Sequence, residues 1–263
     1  MSKRIKKIFE NKKKKLVTFT TGGDPDIKTS LEIIKTIISN GIDIIEIGMP
    51  FSDPMADGPT IQESSVRSIV NGTKVNDVFE IVDKIRNFNN EIPIILMGYY
   101  NSIFSFGIKN FTDKCLEVGV DGLIVVDLQP EEDSELLIQL KEKKIDLIRL
   151  ITPTTDEKRL NTILMNASGF LYYVTITGTT GQKSANLDEL KKSIYKIRLA
   201  SNLPIVAGFG IKNRKNVEEI SAFTDGVVVG SSIVNIIKDN IENKNVMINK
   251  ISLFTKDLKK GVE

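Results

Sequence analysis

Short β-branched runs alternate with longer amphipathic segments along the whole chain, and this alternation limits the fold more than any other feature. The runs predict strands near residues 16–20, 42–47, 94–97, 122–126, 147–150, 170–175, 204–207 and 226–229. They are almost continuously apolar, which is typical of parallel strands covered on both faces. Between the first two strands, Leu31, Ile34, Ile37 and Ile38 recur at helical spacing, and Asn40-Gly41 predicts the end of that helix.

Eight strand–helix pairs predict an α/β fold of the (β/α)8 TIM-barrel type. A doubly wound open sheet has the same local pattern and remains an alternative at this point. No linker, low-complexity tract or shift in composition divides the chain, so we expect one catalytic domain over residues 1–263. Ile5, Ile8 and Phe9 predict an extra N-terminal helix that closes the lower mouth of the barrel.

Two helix starts are predicted from residues that commonly cap helices. Thr73 precedes an apolar periodic segment, and Thr154 is followed three residues later by Glu157. Such hydroxyl and carboxylate side chains accept hydrogen bonds from the free N–H groups of a first helical turn.

Composition excludes several classes of chemistry and of partner. The chain has no histidine, which excludes a histidine base, a histidine-dependent triad and a histidine-ligated metal. Lys and Arg number 36 against 34 Asp and Glu, a balance that gives no reason to expect a nucleic acid or an anionic membrane as partner. A single cysteine, Cys115, and the lack of an apolar stretch in residues 1–15 lead us to expect a cytoplasmic protein.

Unusual residues collect where the predicted strands end. They occupy positions 22–25, 49–59, 99–101, 127, 178–181, 208–210 and 230–232. In a (β/α)8 barrel, the loops leaving the C-terminal ends of the strands form the active site. The opposite strand ends carry ordinary turn residues, so we expect a single site at the C-terminal face.

Glu46 is the most informative single residue because it interrupts the apolar run Ile44-Ile45-Glu46-Ile47-Gly48. Strand alternation places it on the face opposite Ile45 and Ile47. If those two residues meet the helices, Glu46 points into the barrel. Burial would then raise its pKa and allow it to exchange protons near neutral pH. The alternative is a structural glutamate paired with a buried cation, but the predicted strands contain no lysine that could supply one.

The loop after this strand carries two further carboxylates, Asp53 and Asp57. Either could be catalytic, and either could simply form a turn beside proline and glycine. Position alone does not separate them.

Glycine-rich segments predict a phosphate site. Backbone N–H groups bind phosphate where such a turn meets a helix N-terminus, and the last two loops are the usual phosphate site of barrel enzymes. Residues 208–210 and 230–231 occupy those loops, and Gly181 belongs to the preceding one. Residues 176–187 are long and polar for such a connection, which favours a lid, although a plain loop has the same composition.

The residues leave few reaction types possible. A Schiff-base aldolase needs a lysine on a strand interior, and a zinc aldolase needs a ligand cluster that histidine cannot supply here. The residues therefore indicate carboxylate acid–base catalysis on a phosphate ester, without a metal or another cofactor.

The segment from Glu46 to Gln62, EIGMPFSDPMADGPTIQ, closely resembles the signature of the tryptophan synthase alpha chain family. Shorter matches follow in the same order over nearly the whole chain, at residues 21–25, 97–101, 177–181, 208–211 and 230–231. The resemblance implies a lyase that cleaves indole-3-glycerol phosphate to indole and glyceraldehyde 3-phosphate in tryptophan biosynthesis. Thr18 and Gln129 depart from the pattern, since the family commonly has proline at the first position and often near the second.

The resemblance also implies roles for individual residues. Glu46 matches the acid–base group that protonates the indole ring carbon and helps to deprotonate the glycerol hydroxyl. Asp57 matches the carboxylate that binds the indole N–H, and Thr180 matches a lid residue that contacts Asp57 on closure. The positions matching the indole pocket are Phe19, Tyr99, Leu123, Asp127, Tyr172 and Phe209. Those matching the phosphate site are Gly181, Gly210, Gly230 and Ser231.

A partner follows from the same resemblance. It implies an α2β2 heterotetramer in which the beta chain binds pyridoxal phosphate and this chain binds no cofactor. Two alternatives stay open. One is a sister barrel, indole-3-glycerol phosphate synthase, which needs a strand lysine. The other is a non-catalytic barrel subunit that only activates a beta partner, for which neither Glu46 nor Asp57 would be required.

Overall fold

The computed structural model describes residues 1–174, 187–208 and 210–263 of the chain. Its strands are β1 (Lys15–Thr21), β2 (Ile44–Gly48), β3 (Ile94–Gly98), β4 (Gly122–Val125), β5 (Asp146–Leu147), β6 (Arg149–Ile151), β7 (Leu171–Val174), β8 (Ile205–Gly208) and β9 (Gly226–Val229). Its helices are α1 (Lys3–Glu10), α2 (Ile27–Ser39), α3 (Pro59–Val70), α4 (Val75–Phe88), α5 (Tyr100–Phe106), α6 (Ile108–Val118), α7 (Ser134–Lys143), α8 (Glu157–Leu164), α9 (Leu187–Ala200), α10 (Arg214–Ser221), α11 (Ser231–Lys238) and α12 (Lys244–Lys259). None of these helices is long and apolar enough to cross a membrane.

The strands form one parallel sheet in the order β5-β4-β3-β2-β1-β9-β8-β7-β6. Its two terminal strands, β5 and β6, are consecutive in the chain and separated only by Ile148. The N–H of Ile148 donates to the carbonyl of Leu123 at 2.9 Å, so it continues the pairing of β5 with β4. The ends of the sheet therefore meet, which confirms the predicted (β/α)8 barrel. The open-sheet alternative is wrong, and β5 and β6 are two halves of one predicted strand.

Side chains alternate between two apolar layers along each strand. The inner layer fills the barrel with Val17, Phe19, Ile44, Ile95, Ile124, Ile148, Phe170, Val206 and Val228. The outer layer lies between strands and helices and includes Leu16, Ile45, Ile47, Leu96 and Leu123. This alternation decides which side chains can reach a site inside the barrel.

The N-terminal helix α1 closes one end of the barrel, as predicted. Ile5 is fully buried in the inner layer, and Phe9 lies 5.8 Å from Phe170 between ring centroids. The hydroxyl of Ser2 donates to Asp121 at 2.6 Å, just before β4 begins. The helix therefore covers the N-terminal ends of the strands, which leaves the C-terminal ends for the site.

One strand lysine contradicts the expectation that the strand interiors contain none. Lys15 is the first residue of β1, lies on the same face as Val17 and Phe19, and is almost completely buried. Its ammonium group donates to the side chain and backbone of Asn11, which follows α1. The sequence did not reveal this lysine because β1 begins one residue earlier than predicted. It lies at the end of the barrel that α1 closes.

The two predicted helix caps are wrong. Helix α4 follows Lys74, whose backbone N–H donates to the Asp77 carboxylate at 2.7 Å, whereas Thr73 is buried one residue before. Helix α8 is capped by the Asp156 side chain, two residues after Thr154. In both cases a carboxylate two to four residues later in the chain accepts a backbone hydrogen bond at the start of the helix.

Candidate active site

Strand β2 directs Glu46 into the barrel. Its Cα is paired in register with Phe19 on β1 and Ile95 on β3, and both belong to the inner layer. Its chain neighbours Ile45 and Ile47 lie in the outer layer. The carboxyl group is therefore enclosed by the barrel, with 1% of the residue exposed.

This environment favours the protonated form of Glu46. Burial, and then the negative charge of Asp57, raise the pKa of Glu46 to about 8. Its Oε2 atom has no hydrogen-bond partner in the described part of the chain, and no cation there lowers its pKa. The arrangement is therefore not that of a structural ion pair. A carboxyl group of this kind can donate a proton at neutral pH and take one back.

Asp57 is held on the loop between β2 and α3. The N–H of Asp57 donates to the carbonyl of Pro54 at 3.0 Å, and the carbonyl of Asp57 accepts from Nε2 of Gln62 at 2.9 Å. The hydroxyl of Tyr99 donates to its Oδ2 at 3.0 Å. Burial raises the pKa of Asp57, and the Tyr99 hydrogen bond opposes that rise.

The structure separates the two loop carboxylates that position left equivalent. Asp53 is exposed and accepts a hydrogen bond from the neighbouring hydroxyl of Ser52. Asp57 instead lies close enough to Glu46 for its charge to raise the pKa of that group. Asp57 is therefore the loop carboxylate that shares the interior with Glu46.

A small cavity lies beside the Asp57 carboxylate. It is lined by Phe19, Thr21, Gly48, Met49, Asp57, Ile61, Ser65, Met97, Gly98, Tyr99 and Val126. The two glycines make room for its walls, since a Cβ at Gly48 would lie 2.6 Å from Cζ of Phe19, and a Cβ at Gly98 would lie 2.6 Å from Cε of Met49. Apolar walls with a carboxylate among them suit a flat aromatic ring that carries an N–H group.

Tyr172 also belongs to this interior. It packs against the inner layer from β7, and Gly208 on β8 leaves space for its hydroxyl, because a Cβ there would lie 2.4 Å from that oxygen. Burial and the nearby charges of Glu46 and Asp57 raise the pKa of Tyr172 well above its ordinary value. The phenol is therefore neutral and remains a hydrogen-bond donor.

Leu123 and Asp127, two predicted pocket residues, are not among the residues that line the cavity. Leu123 belongs to the outer layer, so it faces the helices, and its neighbour Ile124 is the inner residue of β4. The placement of Leu123 in the pocket, which the family resemblance implied, therefore does not agree with its position in the outer layer. Asp127 is exposed after β4 and accepts a hydrogen bond from the N–H of Tyr100 at 2.7 Å. It thereby fixes the start of α5 at the rim of the barrel.

The described part of the predicted phosphate site lies next to the cavity. Gly230 precedes α11, and a Cβ at this position would lie 3.2 Å from Cβ of Phe19. Ser231 is the exposed first residue of α11, and the hydroxyl of Ser232 ties this helix to the carbonyl of Ile211 at 2.8 Å. Gly210 is exposed with a φ of +66°, a conformation that favours glycine. These residues place a helix N-terminus beside the aromatic cavity.

Three predicted site residues lie outside the described residues. They are Thr180, Gly181 and Phe209.

The cavity also contains residues that sequence reasoning missed. Met97 and Val126 follow from strand alternation, because they stand two positions after the inner residues Ile95 and Ile124. Met49, Ile61 and Ser65 reach the cavity from a loop and from α3, and nothing in the sequence indicates their direction.

Comparison with known proteins agrees with this geometry. The model of the tryptophan synthase alpha chain family matches residues 5–263. Tryptophan synthase subunit alpha from Legionella pneumophila is 34% identical over 100% of this chain and 98% of that chain, with a TM-score of 0.91. A protein from Aquifex aeolicus is 37% identical over 100% and 98% of the two chains, with a TM-score of 0.89. A chain of tryptophan synthase from M. tuberculosis, in an aminoacrylate-bound form, is 26% identical over 99% of each chain, with a TM-score of 0.88.

The family match extends over nearly the whole chain, and the carboxylates and cavity described above lie within it. The chain therefore belongs to the tryptophan synthase alpha chain family, whose members are lyases that cleave indole-3-glycerol phosphate.

Proposed function

We propose that the chain cleaves indole-3-glycerol phosphate by a retro-aldol reaction in which Glu46 is both acid and base. Protonated Glu46 gives its proton to the ring carbon that bears the glycerol chain, and the ring becomes a cationic indoleninium. The Glu46 carboxylate then takes the proton of the adjacent glycerol hydroxyl. The carbon–carbon bond breaks as an aldehyde forms, and its electron pair restores the aromatic indole. Glu46 ends protonated, ready for another cycle.

The observation that carries this proposal is the buried carboxyl group of Glu46, whose Oε2 atom has no hydrogen-bond partner among the described residues. Its raised pKa, about 8, lies close to neutral pH, where proton transfer in both directions is most efficient. Its free Oε2 atom has no protein partner in the described residues that would compete with substrate.

Asp57 supplies the second part of the mechanism. Its carboxylate lines the aromatic cavity, where it can accept a hydrogen bond from the indole N–H. The positive charge that develops on the ring strengthens this interaction in the transition state relative to the ground state. Asp57 must be ionised for this role, whereas Glu46 must begin protonated.

The phosphate end of the substrate is assigned to the N-terminus of α11. Gly230 and Ser231 present backbone N–H groups there, beside the Phe19 wall of the cavity. We include Gly181 and Gly210 in the same site. In this arrangement the substrate spans the distance from the carboxylates to the helix end, and the barrel works as one domain over residues 1–263.

Indole release from indole-3-glycerol phosphate tests the proposal directly. The purified chain, mixed with a beta chain of the family, should release indole, and Glu46→Gln should lower kcat by roughly 10²–10⁴-fold. Asp57→Asn should lower kcat while the fold is retained. Glu142→Gln, an exposed substitution on α7, is the matched control. If Glu46→Gln keeps full activity, the acid–base assignment is wrong.

A beta-chain partner is proposed from the surface around the mouth of the barrel. Met55 is 82% exposed and Phe104 is 63% exposed, and the aromatic rings of Phe51, Tyr99, Tyr100 and Phe104 lie in contact in pairs beside them. Exposed apolar side chains at a site entrance favour coverage by another protein. We propose a beta chain there, in an α2β2 assembly in the cytoplasm, with pyridoxal phosphate bound by the beta chain.

Measured association separates this proposal from a chain that acts alone. Phe104→Asp should weaken binding to the beta chain in sedimentation experiments. Phe88→Asp, at an exposed phenylalanine on α4, should leave binding unchanged. Equal binding of both variants would place the interface elsewhere.

The two other candidate functions are less well supported. A non-catalytic subunit has no use for a buried carboxyl group without a partner among the described residues, because such a group destabilises the fold. Indole-3-glycerol phosphate synthase needs a lysine in the site, whereas in the described part of the chain the buried strand lysine, Lys15, lies at the end of the barrel closed by α1.

A further inference from the structure

The ring of Tyr99 lines the cavity, and its hydroxyl binds two residues of a neighbouring loop. The hydroxyl donates to Oδ2 of Asp57 at 3.0 Å and accepts from the N–H of Ala56 at 3.0 Å. The two bonds reach consecutive residues of the loop between β2 and α3. A single rigid side chain at the end of β3 therefore holds both the backbone and the carboxylate at the point where the loop enters the site.

The ring of Tyr99 is itself fixed. Phe51, from the same loop, stacks on it with centroids 5.0 Å apart and planes inclined by 21°. On the other side, the N–H of Tyr100 is bound by Asp127 at 2.7 Å, which fixes the backbone immediately after Tyr99. The phenol therefore reaches Asp57 from a position with little freedom, and the bond needs little further ordering.

We propose that Tyr99 is a positioning residue for the cleavage reaction, whose hydroxyl donates to the Asp57 carboxylate and orients it inside the barrel. This inference rests on the proposed role of Asp57 as the partner of the indole N–H. The predicted role of Tyr99 in the indole pocket concerns its ring, whereas this inference concerns its hydroxyl.

Among the residues that the structure describes, the other charged and titratable groups near Asp57 do not stabilise its charge. Glu46 from β2 is acidic, and Asp127 from the β4 loop is an acidic neighbour of Tyr99. Tyr172 from β7 is a neutral phenol because burial and both carboxylates raise its pKa. Among the described residues, Tyr99 is the group whose hydrogen bond opposes the effect of burial on Asp57. Burial and the Asp57 charge also raise the pKa of Tyr99 above its ordinary range, so the phenol stays the donor.

Tyr99→Phe isolates the hydroxyl, because the ring and its stacking on Phe51 are retained. The carboxyl resonance of Asp57 is followed by NMR in the free chain labelled with ¹³C-aspartate and is identified by its loss in Asp57→Asn. We expect the pKa of Asp57 to rise by about one unit in Tyr99→Phe, because one hydrogen bond to the charged form is lost. Tyr195→Phe, on an exposed tyrosine of α9, should not move this resonance.

A pH profile of kcat/KM, with the beta chain present, gives a second readout. The acidic limb in Tyr99→Phe should move to higher pH by the same amount, so that activity falls about tenfold on the acidic side and less at higher pH. If Tyr99→Phe does not fold, Tyr99→Leu removes the same hydroxyl and takes its place in both measurements.

The two readouts separate this inference from the proposed function. An unchanged Asp57 pKa in the hydroxyl-lacking variant overturns the inference, whether or not the enzyme is active. If the Asp57 pKa is shifted in Tyr99→Phe but the wild-type chain does not cleave the substrate, the assignment of Tyr99 to Asp57 stands and the proposed reaction is wrong. A pure loss of stability would lower activity at every pH and would leave the acidic limb in place, which also overturns the inference.

Discussion

Replacing Glu46 by glutamine should make the fold more stable while it removes the proposed acid–base group. Glutamine has nearly the shape of a protonated glutamic acid but cannot ionise. In the wild type, burial raises the pKa of this group from 4.5 to about 8. The folded protein therefore binds a proton that the unfolded chain has released at every pH between these two values.

The sign and size of the effect follow from this difference in proton binding. Where the folded state binds more protons, the free energy of unfolding falls as the pH rises, by about 1.4 kcal/mol per pH unit for one group. The fall begins near pH 4.5 and ends above pH 8, where the group is ionised in both states. The destabilisation by Glu46 is then roughly 1 kcal/mol at pH 5, about 3 kcal/mol at pH 7 and about 5 kcal/mol at pH 9.

Urea unfolding at pH 5, 7 and 9 measures this destabilisation. The free energy of unfolding of Glu46→Gln minus that of the wild type should grow by about 4 kcal/mol between pH 5 and pH 9. Glu142→Gln, the exposed control on α7, should follow the wild type at each pH. A difference between Glu46→Gln and the wild type that stays constant over this range would refute the conclusion that Glu46 is held protonated.

Three further substitutions test other parts of the structure. Arg67→Ala should lower the free energy of unfolding by about 3–5 kcal/mol in urea titrations. The reason is that the buried Asp24 carboxylate loses the two 2.8 Å hydrogen bonds that Arg67 donates. A loss below about 1 kcal/mol would contradict this. Thr20→Val should raise the Tm and add about 1 kcal/mol, because the buried hydroxyl has no partner among the described residues; a destabilised variant would show that the hydroxyl is satisfied. Gly48→Ala should raise KM for indole-3-glycerol phosphate and lower the free energy of unfolding by about 1–3 kcal/mol. The reason is that the Cβ of the alanine would overlap the Phe19 ring. An unchanged KM would show that the ring can move aside.

The part of the site that could be predicted from the sequence is the part fixed by strand alternation. Glu46 stands alone among apolar residues, so its direction follows from a period of two, and the register with Phe19 shows that direction. Alternation could not have corrected the placement of Leu123, which came from the family resemblance, because β4 is apolar on both faces and each of its residues fits either layer equally well. The closure of the barrel could be predicted from the number of strands, whereas nothing in the sequence marks the break between β5 and β6 at Ile148.

Contacts that depend on tertiary distance could not be predicted. The bond between Tyr99 and Asp57 joins residues 42 positions apart, on two loops whose separation is set by the sheet. Lys15 was missed because the start of β1 lies at a position that the apolar run does not mark. Both helix caps failed for a local reason, since several acceptors stand within a few residues and the sequence does not rank them.

Helix α1 determines from which side ligands can reach the barrel interior. Because Ile5 seals the lower end of the barrel, the interior that holds Glu46 is closed on that side. A ligand or a proton that reaches Glu46 therefore cannot pass through the N-terminal ends of the strands. A protein seated on the opposite rim, where Met55 and Phe104 are exposed, would then affect departure as well as arrival.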